Sequence, residues 1–192
     1  LIFIVLAPLI GMVVGFSVMI LVTRISMRYK VKRNSVIFRR LQLVSAAAYS
    51  LGHGTNDAQK TMGIIAILLF TGGYLGDTFY VPFWVIMAAH IAIGLGTLVG
   101  GKRVIKTLGM RVTKLKPIGG FSAETAGAVT LIGTALGGIP ASTTHTITGS
   151  IIGVGATKRL SSVRWGVARR ITWAWALTIP LSSTIAGLSY LA

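Results

Sequence analysis

The sequence has no cysteine and only three acidic residues, Asp57, Asp77 and Glu124. The first absence removes disulfides and thiolate metal sites. Three scattered histidines make a poor metal site too, so neither a metal nor another cofactor is expected. Charge is scarce altogether, at 11% Asp, Glu, Lys and Arg, well below the share a soluble globular domain carries. Apolar residues take its place: 53% of the chain is hydrophobic and the mean hydropathy is +0.79. They fall in several runs of about twenty residues, which is the composition of a polytopic membrane protein. The net charge of +16 would suggest nucleic acid in a soluble chain. Here the basic residues sit in short segments between apolar runs, which encodes topology and argues against a nucleic-acid partner.

The expected fold is an all-α polytopic membrane unit over residues 1–192, with spans near 1–22, 41–71, 81–101 and 171–191 and a hairpin over 119–156. In the first span, Pro8 is tolerated and Gly11 and Gly15 form a small-xxx-small face for a neighbouring helix. Seven Lys/Arg lie between Arg24 and Arg40, six between Lys102 and Lys116 and five between Lys158 and Arg170. These segments fall on one side, expected to be cytoplasmic, and Lys60 is the exception. The 72–80 loop has Asp77 and no basic residue, which marks the outside, with Tyr74, Tyr80 and Trp84 as interface anchors. The chain starts at Leu1 within an apolar run, without a Met or a signal-peptide n-region, and reads as a fragment of a longer protein.

Two polar interruptions at membrane depth stand out. The first, Gly52 to Gly63, carries His53, Gly54, Thr55, Asn56, Asp57, Gln59 and Lys60 inside what would otherwise be one span, and such groups are expensive there. A break at 52–60 would give two half-helices, with Asn56 or Asp57 capping the second. The second interruption separates two apolar arms, Phe121 to Leu136 and His145 to Val154, by a tip containing Gly138, Pro140, Ser142, Thr143 and Thr144. Arms of ten to sixteen residues reach about 15 to 24 Å, short of a crossing, so a re-entrant hairpin is expected. Each break starts a helix with open amide donors and a positive dipole end, which suits a small oxyanion. Asp57 would repel that anion unless protonated or neutralised, which is a physical basis for coupling to H⁺ or Na⁺.

Simpler roles compete with these. Asp57 could be a cap, Lys60 its structural counter-ion, and Ser142 to Thr144 satisfiers of tip backbone. Glu124 could be a structural hydrogen-bonding partner, while His53 and His145 could be packing residues or proton carriers and His90 an interhelical donor. Gly54 and Gly138 allow close backbone approach to a ligand. An anion channel would need a continuous polar face, which these spans lack outside the two breaks. A membrane hydrolase built on Ser142, His145 and Asp57 has no motif to fix its geometry. A sensor or scaffold derived from a transporter stays open.

At these residues the chain resembles the inorganic phosphate transporter (PiT) family. The signature Gly-Ala-Asn-Asp-x-x-Asn is matched by Gly54-Thr55-Asn56-Asp57-Ala58-Gln59-Lys60. The hairpin-tip element Pro-x-Ser-Thr-Thr-His is matched by Pro140-Ala141-Ser142-Thr143-Thr144-His145, and the acid of the first arm by Glu124. The family carries two inverted copies of this unit, and the match resembles the C-terminal half of a bacterial member. The resemblance implies symport of inorganic phosphate across the bacterial cytoplasmic membrane. Phosphate would bind at Thr55, Asn56, Asp57, Gln59, Lys60, Ser142, Thr143 and Thr144. The coupling ion would use Asp57, Asn56, Glu124 and Thr144, with His53, Gly54, Gly138, Pro140 and His145 in support. The implied partners are phosphate (free or as a metal complex), membrane lipids, the N-terminal half and, as an open option, a second copy in a homodimer. Another oxyanion such as sulfate is the alternative substrate. Lys60 departs from the family, standing where the signature has its last Asn, three residues beyond Asp57 on the same helical face. A fixed cation there could replace one sodium ion, so H⁺ is the preferred coupling ion.

Overall fold

The computed structural model describes residues 2–29, 35–139 and 141–191, apart from the side chains of 103–105. Pro140 of the expected hairpin tip lies outside the described residues. Among them the structure is all-helical: α1 (Ile2–Arg28), α2 (Val36–Thr71), α3 (Phe83–Lys106), α4 (Pro117–Leu136), α5 (Thr143–Ala156) and α6 (Trp165–Leu191). α3 runs directly into a π-helical turn, Thr107–Val112.

Local chemistry sets several of these ends. Ser35 caps α2 by accepting from Phe38 N at 3.5 Å, and Pro117 opens α4, where its missing N–H is no loss. Gly72 and Gly137 close α2 and α4, and Gly73 and Gly138 just beyond take φ of 77° and 67°, the left-handed region that lets the chain turn away. Among the described residues three helices are long and apolar enough to cross a membrane: α1, α3 with its π-helical extension, and α6. In α2, 36 residues long, the polar middle dilutes the apolar character.

The expected break at 52–60 is absent, and α2 runs through it without interruption. Its polar side chains bond back along the same helix instead of capping a new one. Thr55 Oγ1 donates to Leu51 O at 2.8 Å, Asn56 Nδ2 to Gly52 O at 3.1 Å and Thr61 Oγ1 to Asp57 O at 3.3 Å. Each such bond keeps the hydroxyl or amide satisfied without opening the ladder. Gly52 and Gly54 are helical residues here, so their presence lowers helix propensity without ending the helix.

α4 and α5 form a helical hairpin, joined by residues 137–142, that packs against both α1 and α2. With 20 and 14 residues, these helices rise about 30 and 21 Å. Backbone meets backbone between α1 and α5. A Cβ on Gly149 would strike Pro8 O and one on Gly153 would strike Met12 O, while Gly11 and Gly15 face Thr146 O and Ser150 O in return. The two GxxxG patterns interlock, the close approach that small residues permit in membrane helices. At the basic end, Met19, Phe38, Leu108, Val112, Ile118, Ile151, Val154 and Val163 form an apolar cluster that ties α1, α2, α4 and α5 to the π-helical turn. α3 lies on α2, and α6 meets the π-helical turn at its start and α5 through Trp175, which stacks on His145.

Candidate functional site

The polar residues of α2 fall on one stripe, at Gln42, Ser45, Tyr49, His53, Asn56, Asp57 and Lys60, with the three- and four-residue steps of a helical face. That stripe faces α4 and the start of α5. Two glycines of α4 admit it: a Cβ on Gly120 would collide with the Gln42 amide, and one on Gly127 with the Tyr49 ring.

Asp57 is the hub. Its Oδ2 lies 3.0 Å from His53 Nε2 and accepts from Thr143 Oγ1 at 3.3 Å, while Oδ1 accepts from Lys60 Nζ at 3.4 Å. Lys60 Nζ also donates to Ala141 O at 3.1 Å, so the ammonium bridges the α2 carboxylate to the hairpin tip. Tyr49 Oη donates to Thr143 O at 3.2 Å, a second tie to the same turn of α5. Asn56 is buried and donates to Leu131 O at 3.4 Å, which docks α2 on α4 below the hub.

α5 begins at this point. Ser142 caps it, its Oγ accepting from His145 N at 3.4 Å, and Thr146 N bonds Ser142 O at 3.0 Å. Among the described residues nothing accepts from the N–H groups of Thr143 and Thr144, which stand at the positive end of the helix dipole. Thr144 is exposed beside them. Thr55 and Gln59 are exposed on α2, each two residues from Asp57 and so turned about 160° away from it round the continuous helix, and the structure does not bring them to this site. The arrangement therefore offers amide donors, hydroxyls and an ammonium within reach of one carboxylate, which suits an oxyanion.

One N-terminus serves this site, not two. Because α2 is continuous, Asn56 and Asp57 contribute side chains from a helix flank. Asp57, Lys60, Ser142 and Thr143 are brought together as expected, with His53 directly on Asp57. Glu124 does not join them. It accepts from Ser45 Oγ at 2.6 Å and Gln42 Nε2 at 3.4 Å, and about 18 Å of helical rise separates Ser45 from Asp57. His145 stacks on Trp175 of α6, with ring centroids 3.9 Å apart, and its Nδ1 lies 3.3 Å from Ile4 O, so it pins α1 and α6 to the start of α5. Gly138 supplies the positive φ of the hairpin turn, and Gly54 has open space where a Cβ would stand. His90 Nδ1 lies 2.8 Å from Ile86 O of its own helix. Gln42, Ser45 and Tyr49 were not expected from sequence, although their spacing from His53 continues the same face. Among the described residues no cluster of His, Cys, Asp or Glu is arranged to hold a metal.

Set against known proteins, residues 26–186 match the model of the phosphate transporter family. The chain belongs to that family. It is 54% identical over 189 residues to the "Probable low-affinity inorganic phosphate transporter" of Rhizobium meliloti (strain 1021), covering 98% of this chain and 57% of that protein. It is 36% identical over 153 residues to the "Sodium-dependent phosphate transporter 1-B" of Danio rerio, covering 79% of this chain and 23% of that one. A solved structure titled "The sodium-dependent phosphate transporter" superposes with a TM-score of 0.67 at 31% identity, covering 79% of this chain and 38% of the other. The chain spans about half the length of the curated bacterial relatives it matches. As a member of a family of transporters and not of enzymes, with three helices fit to span a bilayer, it is an integral membrane protein.

Proposed function

We propose that this chain forms one half of a symporter that carries inorganic phosphate inward across the bacterial cytoplasmic membrane, with its basic loops on the cytoplasmic side. The observation that carries the reading is the convergence of Thr143 Oγ1 and Lys60 Nζ on Asp57 at the start of α5. Phosphate binds at the Thr143 and Thr144 amides, with Lys60 as its fixed counter-charge and Ser142 beside it. The α4–α5 hairpin re-enters the membrane to hold that helix start at depth, where water is scarce and donor groups act strongly.

Coupling centres on Asp57. An ionised carboxylate repels phosphate, so its protonation admits the anion and links the two fluxes. The family's sodium-dependent members bear on which ion is used. Here Lys60 Nζ already occupies the space between Asp57 Oδ1 and Ala141 O, two hard oxygens of the kind a sodium ion takes. Proton coupling follows from that occupancy.

The test is uptake of labelled phosphate into vesicles carrying the intact transporter, with sodium and the pH gradient varied separately and sulfate as competitor. Uptake should persist without sodium, collapse with the pH gradient and resist sulfate. Lys60→Asn should acquire stimulation by sodium. Strict sodium dependence of the wild type would overturn proton coupling, and equal uptake of sulfate would overturn phosphate as the substrate.

A further inference from the structure

Away from Asp57, the π-helical turn Thr107–Val112 and the first turns of α6 enclose a groove of about 250 Å³. Arg111 on the turn and Arg170 on α6 line it, over a floor of Val167, Ile171 and Ala174. Both arginines are exposed. The walls are tied to each other: Arg164 N donates to Val112 O at 2.9 Å, and Thr113 Oγ1 donates to Ser162 O at 3.2 Å. Leu108 and Val112 anchor the wide turn in the apolar cluster, so Arg111 projects from fixed backbone. Wide turns of this kind recur at functional positions because they re-aim one side chain while the helix continues.

Among the described residues this charge has no carboxylate partner. Asp57 is engaged by His53 and Lys60, Glu124 by Ser45 and Gln42, and Asp77 lies in the loop at the other end of α3. Among the described residues no carboxylate pairs with Arg111 or Arg170. The groove also sits where two membrane-spanning helices end, α3 through its π-helical extension and α6 at its start, with Trp165 and Trp173 exposed nearby. Aromatic residues of this kind mark the headgroup level.

We propose that this groove binds one anionic phospholipid. The two guanidinium forks take the phosphate oxygens, a geometry that arginine offers and lysine does not. The upper acyl chain lies on Val167, Ile171 and Ala174. The bound lipid neutralises the junction of α3 and α6 and holds α6 against the π-helical turn.

The test is native mass spectrometry of the intact, delipidated transporter titrated with phosphatidylglycerol, phosphatidylcholine or inorganic phosphate. Phosphatidylglycerol should bind at one high-affinity site, at least tenfold tighter than phosphatidylcholine, and millimolar inorganic phosphate should not displace it. Arg111→Gln and Arg170→Gln should each weaken binding about fivefold, and together about thirtyfold. Arg170→Lys should fall between Arg170→Gln and wild type, and Lys158→Gln, outside the groove, should change nothing. Each variant alters an exposed side chain, and an unchanged elution volume verifies folding. Equal binding of the two lipids, Gln variants that hold phosphatidylglycerol like wild type, or absence of lipid binding to the intact transporter would each overturn the proposal. Displacement by inorganic phosphate would do so as well, and would make the groove a free-anion site.

Discussion

Helix α5 meets its two long neighbours by opposite means. Toward α1 it presents Gly149 and Gly153, and at these glycines the backbones of the two helices meet directly. Toward α2 it presents Thr143 and the carbonyl of Ala141, and the contact is made by a carboxylate, an ammonium, a phenol and a hydroxyl. The first contact has one solution, because close-packed backbones cannot slide without losing the fit. The second can exchange partners, since each of its hydrogen bonds can pass to a ligand oxygen. A transporter needs both: one surface that carries the hairpin as a rigid piece, and one that changes when substrate and proton arrive.

Breaking the rigid contact should have the largest effect. Gly153→Val puts side-chain carbon into Met12 O and the backbone of Phe16, and should cost about 3 kcal/mol or more, read as lost folded yield and a lower melting temperature in detergent. On the polar side, Asp57→Asn should leave the melting temperature near wild type and lower the initial rate of phosphate uptake about a hundredfold, equivalent to about 2.7 kcal/mol. Wild-type uptake in that variant would remove Asp57 from the centre of the site. Tyr49→Phe deletes the bond to Thr143 O, worth about 1 kcal/mol, and should slow uptake severalfold while the protein inserts normally.

The smallest change sharpens the comparison at the point where sequence and structure part. Gly54 stands in a continuous helix with open space at its Cβ position. Gly54→Ala should therefore raise stability by about 0.5 to 1 kcal/mol. A broken helix at this position would give a loss instead, visible in the same thermal melt.

The helices were legible because their apolar runs are long, but their ends were not: α1 runs on to Arg28, α2 starts at Val36 and α6 at Trp165, because basic residues at the ends of apolar runs continue a helix as readily as they leave it. The partnership of Asp57 with Lys60 was legible from a three-residue spacing. What misled was the polarity of Gly52 to Lys60, which reads equally as a helix break and as a helix face. The choice depends on whether Thr55 and Asn56 bond back to Leu51 and Gly52, a contest between near-equal local bonds that composition does not decide. Tyr49, Ser45 and Gln42 lie within the apolar run before the interruption, so only the helical periodicity that joins them to His53 marks them. Gly149 and Gly153 share the four-residue spacing of Gly11 and Gly15, but that two such faces meet is a tertiary fact.

The central claim is that phosphate sits between the flank of α2 and the start of α5. The absence of cysteine from this chain makes a direct test available: a single cysteine at Thr144, exposed beside Thr143, in an otherwise cysteine-free intact transporter, with Gln59→Cys, turned away from Asp57 on α2, and Leu43→Cys, exposed near the start of α2, as references. Maleimide labelling rates are measured with and without phosphate. The account predicts that phosphate slows labelling at position 144 and leaves positions 59 and 43 unchanged. Equal rates at all three positions, under conditions where uptake is saturated, would contradict it.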